Sequence, residues 1–112
     1  MTELSQEQQA EIAQFEQLRQ QLAMVSAQKN QAMLQKAAGE YALEELAKSK
    51  EQKAFRAVGS VLVQLSKDQI VEELKGEIKQ VEEGMETMNV QEKKLMERME
   101  KLKQSIESSI KT

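Results

Sequence analysis

Nineteen carboxylates are the only side chains in this 112-residue chain abundant enough to suggest chemistry. Paired Asp and Glu can move protons or hold magnesium where they converge in a cleft. Here they alternate with 16 Lys and Arg along helical faces, which is the pattern of a solvated surface. There is no His and no Cys, so neither a His–Cys zinc site nor a Ser–His or Cys–His nucleophile pair can be built. Gly39, Gly59, Gly76 and Gly84 stand singly, which leaves no Gly-rich phosphate loop. The residues point away from an enzyme, a metal or a cofactor.

The remaining chemistry is apolar contact. From Val71 onward apolar residues recur at alternating steps of three and four: Leu74, Ile78, Val81, Met85, Met88, then Leu95, Met99, Leu102 and Ile106. Only Glu92 interrupts this heptad array, and Ile110 follows one turn later. Upstream, a second frame places Leu4, Phe15, Leu18, Leu22, Val25, Ala32, Leu43 and Leu46 on one seam, with Ile12 beside it. Lys29, Lys36 and Gly39 fall on that same seam. Either they set register at some cost in stability, or the frame drifts there.

Between the two arrays the period changes. Ala54 to Leu65 is dense in β-branched residues, and Gly59-Ser60 suits a tight turn that requires positive φ. The expected architecture is mainly α: a long antiparallel two-helix coiled coil joined by a single short β-hairpin. Its elements are a helix over about 5–53, a hairpin over 54–65 and a helix over 66–111, in one domain covering 1–112. Ser5 with Gln8, and Ser66 with Gln69, match helix-opening capping boxes. Lys48, Lys50 and Lys53 complement the dipole where the first helix should end. Seam layers pair residues whose numbers add to 117 or to 124, and the apolar pattern fits both. In either register Lys29 and Glu92 lie in adjacent layers, close enough for a cross-helix ion pair.

Two regions carry more apolar surface than a two-helix coil covers. Phe55, Val58, Val61, Leu62, Val63 and Leu65, turned at Gly59, belong to a hairpin that is marginal alone and whose strand edges invite pairing with other chains. These residues are the expected oligomerisation element, the duller reading being a connector tucked against the helix ends. Ala32 to Ala47 is also apolar around more than one face, which suggests neighbours there or simply drift of the frame. At the chain ends, Leu4, Ile12, Phe15, Met99, Leu102, Ile106 and Ile110 are either the last seam layers or a contact site for other proteins. The Met96 and Met99 face would adapt to varied partners. A formal net charge of −3 leaves no basic surplus for nucleic acid. Apolar runs such as Val61-Leu62-Val63 are far too short for a membrane span, and the N-terminus lacks a signal-peptide pattern. A cytoplasmic protein that works by contact is expected.

The segment Ala54-Phe-Arg-Ala-Val-Gly-Ser-Val-Leu-Val-Gln-Leu-Ser66, followed by Lys-Asp-Gln-Ile-Val-Glu-Glu-Leu74, resembles the β-class subunits of prefoldin, especially the archaeal type. Phe15-Glu-Gln-Leu-Arg-Gln-Gln-Leu22 and Ala42-Leu-Glu-Glu-Leu46 are similar to that family's first helix. A single hairpin matches the β class, since α-class subunits carry two. The resemblance implies a hetero-hexamer with an α-class subunit, two α and four β, built on a base of hairpins. It further implies coiled-coil tips that hold unfolded client proteins, without nucleotide, for a group II chaperonin. The Lys29 to Gly39 stretch departs from the family's usual seam. The competing class is a structural tether that spaces two partners, never holds clients and keeps its tips covered.

Overall fold

In a computed structural model, which describes residues 3–111, the chain runs α1 (Gln6–Lys48), β1 (Lys53–Val58), β2 (Val61–Ser66) and α2 (Lys67–Lys111). The two long helices and the intervening hairpin are the expected fold. The described residues divide into two compact units, one of residues 3–30 and 86–111 and one of residues 31–85.

In the first unit α1 opens with a complete capping box. Gln8 N donates to Ser5 Oγ at 3.0 Å, and Ser5 N donates to Gln8 Oε1 at 2.8 Å. Leu18 is buried at the seam, while Phe15, Leu22 and Val25 on α1 and Leu95, Met99, Leu102 and Ile106 on α2 are half-buried. The helices are antiparallel here, since the contacts run in opposite order along them: Gln8 Nε2 donates to Ser109 Oγ at 3.2 Å, while Lys29 meets Glu92. The polar interruption at Glu92 is satisfied within the seam. Lys29 Nζ lies 3.0 Å from Glu92 Oε1, and Ser26 Oγ donates to Glu92 Oε2 at 2.7 Å. Ser26 first, and Lys29 second, hold the Glu92 carboxyl below its ordinary range.

In the second unit the α1 frame continues without drift. Ala32 is buried and Lys36, Gly39, Leu43 and Leu46 are half-buried, at the same three-four steps. Lys36 reaches Glu82 at 3.6 Å and Glu40 at 3.8 Å. Gly39 is a point of close approach: a Cβ built there would lie 2.9 Å from Ile78 Cγ1. Gly39 with Ile78, like Gln8 with Ser109, has numbers adding to 117, and this is the register the chain adopts.

Three boundaries differ from expectation. Helix α1 ends at Lys48 rather than near 53. Ser49 N donates to Leu46 O at 3.2 Å, and Ser49 Oγ accepts from Glu51 N at 3.2 Å, a turn that takes the backbone out of the helix. Lys50 and Lys53 therefore lie beyond the helix, and the cation facing this exit is Lys67, whose ammonium donates to Ser49 O at 2.8 Å. The strands extend one residue further at each outer end, pairing Lys53 with Ser66. The second capping box is half made. Gln69 N donates to Ser66 Oγ, but the Gln69 side-chain amide turns to Glu73.

Val58 pairs with Val61 across a two-residue loop. Gly59 has φ of 60°, and no other described residue has positive φ, so the turn is of the type II′ kind that suits hairpin twist.

Candidate functional site

Alternation sorts the hairpin into two faces. Ala54, Arg56 and Leu65 are half-buried, and the register places Ala54 opposite Leu65 and Arg56 opposite Val63. Arg56 ties this face to α2. Its Nη1 lies 2.9 Å from Glu73 Oε2, and its Nη2 bonds Glu77 one turn further along. Those two bonds, that to Glu77 foremost, raise the pKa of the guanidinium still further.

The opposite face and the turn are bare. On that face Phe55 is 64% exposed and Leu62 69%, and beside the turn Val58 and Val61 are more than half exposed. Both strands of the hairpin keep a free edge, since the sheet has only two strands. Leu65 is thus the one half-buried residue of the expected oligomerisation set, and Val63, across from Arg56 on the same face, is only just exposed. Beside the hairpin a groove of about 430 Å³ is lined by Tyr41, Ala42, Leu46, Phe55, Ile70 and Leu74. Met33, Leu34 and Tyr41 on α1 are exposed in the same unit.

In the other unit, the expected contact residues fall into two groups. Ile12, Phe15, Met99, Leu102 and Ile106 are half-buried, whereas Leu4, which precedes α1, and Ile110 are exposed. The seam passes through Ser109 at its last turn and leaves Ile110 outside it. Ile12, Phe15, Ile106 and the stems of Lys103 and Glu107 line a groove of about 320 Å³.

Two features escaped the reading of the sequence. One is the Arg56–Glu73–Glu77 cluster, signalled by a lone cation in strand alternation ahead of acids four apart on a helix. The other is a groove of about 370 Å³ whose apolar lining is Met24, Val25 and Leu95. Met24 gave no signal because it lies off the seam. Among the described residues no acid cluster is arranged to hold a metal ion, and no helix is long and apolar enough to cross a membrane.

Known proteins share this arrangement. The family model described as prefoldin subunit matches residues 9–112. Prefoldin subunit beta of Archaeoglobus fulgidus is 36% identical over 109 residues, covering 96% of this chain and 94% of the relative. Prefoldin subunit beta of Thermococcus onnurineus is 34% identical over 103 residues, covering 91% and 89%. The crystal structure of the prefoldin beta subunit from Thermococcus strain KS-1 superposes with a TM-score of 0.89 at 31% identity, over 100% of this chain and 99% of that one. With two long helices about a single bare hairpin, and kinship along nearly its whole length, the chain belongs to the prefoldin family, among its beta subunits.

Proposed function

We propose that this chain is the β-class subunit of a cytoplasmic hetero-hexamer, two α-class and four β-class chains, that holds unfolded proteins without nucleotide and passes them to a group II chaperonin. Prefoldin subunits are chaperones rather than enzymes, and family membership supports that part of the reading. The observation that carries the rest is uncovered apolar surface in each unit, with different chemistry. The hairpin offers strand edges and a flat apolar face, suited to shared sheets with fixed partners. The terminal unit offers scattered side chains, Leu4 and Ile110 outermost, suited to weak contact with many sequences. Exposure of these two supports client holding over a purely structural tether, which would cover them.

The test is co-expression with an α-class subunit, measurement of the mass of the complex, and light scattering of a denatured client diluted into it. A hexamer that slows aggregation without ATP is the expected result. A hexamer with no effect on the client would leave the tether as the function.

A further inference from the structure

One flank of the terminal unit carries no carboxylate over about four helical turns, in a chain whose formal net charge is −3. On α1 this flank presents Gln14, Gln17, Gln21, Met24 and Gln28, at steps of three and four and all exposed. On α2 it presents Gln91, Lys94, Arg98 and Lys101, also exposed. The two rows border the same groove, since Gln21, Met24, Gln28, Gln91 and Lys94 line it together. Among the described residues Lys94, Arg98 and Lys101 take part in no ion pair. Glu97, the nearest acid on α2, occupies the row behind them.

We infer that this flank is a binding strip for acidic segments of unfolded polypeptide, which gives client holding a preference for negatively charged clients. The inference rests on the chaperone reading and deepens it. Each chemical part of the strip has a counterpart in such a segment. The groove, lined by Met24, Val25 and Leu95, takes an apolar side chain, and methionine adapts to its shape. Glutamine amides both donate and accept, so the row on α1 can satisfy main-chain N–H and C=O groups of an extended chain. Lys94, Arg98 and Lys101 rise along the helix by steps of about 6 and 4.5 Å. Alternate residues of an extended chain lie about 6.6 Å apart, within reach of those flexible side chains. A nucleic acid strand fits less well. Three cations neutralise few phosphates, and no aromatic side chain lies among the strip residues for bases to stack on.

The test uses the full-length chain assembled with its α-class partner, and three labelled probes read by fluorescence anisotropy. These are an unstructured peptide alternating Leu and Glu, its twin with Gln for Glu, and a single-stranded oligonucleotide. The acidic peptide should bind about fivefold to tenfold more tightly than its twin, the sum expected of three exposed ion pairs, and the advantage should shrink as salt rises. In the triple variant Lys94→Glu, Arg98→Glu, Lys101→Glu the preference should vanish or invert, while hexamer mass and helical circular dichroism stay as before. Unchanged mass and helix content show the variant to be folded and assembled. Equal affinity for the two peptides in the unaltered complex, or a preference that survives charge reversal, overturns the proposal, as does tighter binding of the oligonucleotide than of either peptide. If denatured clients are held but without any acidic preference, only this strip fails. If no client is held at all, the chaperone reading fails with it.

Discussion

At Gly39 a methyl group would press against Ile78 Cγ1, whereas nothing lies within 4 Å of a Cβ at Gly76 or Gly84. The same substitution should therefore act in opposite directions. Gly76→Ala gains helix propensity of about 1 kcal/mol with no steric penalty, and should raise the melting temperature. Gly39→Ala gains the same propensity but overpacks the seam, at a typical cost of about 1–3 kcal/mol, and should lower it. Thermal melts of the two single variants decide this, and a stabilised Gly39→Ala would show that the seam yields easily there. Glu92 gives a prediction in pH. Its carboxyl titrates below the ordinary value because Ser26 and Lys29 favour the charged form. A group depressed in the folded state adds stability above its unfolded pKa, near 4.5, and loses it as pH falls through the folded pKa. Glu92→Gln should thus be less stable than the parent at pH 7, and the gap should close on acidification. A gap unchanged from pH 7 to pH 3, followed by chemical denaturation, would show that the Glu92 charge contributes nothing.

The elements were legible from the sequence in proportion to how their signals repeat. Helix α2 could be traced turn by turn because its apolar steps recur, and Val71 to Ile106 line the seam as expected. The middle of α1 was ambiguous because Lys29, Lys36 and Gly39 give no apolar signal. There the frame is kept by ion pairs and by close approach to Ile78, which depend on the partner helix. Register was undecidable for a deeper reason: a heptad array shifted by seven residues looks the same to itself, and only contacts as specific as Gly39 with Ile78 break the tie. The end of α1 was misplaced because a lysine cluster marks a region, whereas a single Ser49 hydroxyl fixes the turn. The contact surfaces were legible only as surplus apolar residues. Alternation puts Leu65 and Leu62 on opposite faces of the strand, but sequence could not tell which face turns inward. At the hairpin the expected outcome is loss of assembly without loss of helix. Val61→Asp with Val63→Asp places charge on strand residues that already contact little in the single chain, so circular dichroism should change slightly while the mass of the complex collapses. Normal mass in that variant would remove the hairpin from assembly.

For the molecule as a whole, the described residues include only three buried apolar side chains, Leu18, Ala32 and Ile70, so the single chain has little interior. Much of its stability must come from the seams and from whatever covers the bare surfaces, which links stability to binding by mass action. If clients are held by the terminal unit, holding should be multivalent, with several weak apolar contacts made by several copies and a high effective concentration after the first. Removing residues 1–12, or everything after Leu102, should then weaken client holding strongly while the complex keeps its mass, because the hairpin belongs to the other compact unit. Ile106→Ser and Ile110→Ser should each have smaller, graded effects, and Ile110→Ser should leave the melting temperature nearly unchanged, since that side chain is already exposed. Ile106 lines both seam and groove, so its replacement should lower stability and holding together. Aggregation assays on assemblies of equal mass separate these effects. Full protection of a denatured client by the truncated complex would move the holding surface away from the terminal turns, either to the flank bearing Met24 and Lys94 or to the partner subunit.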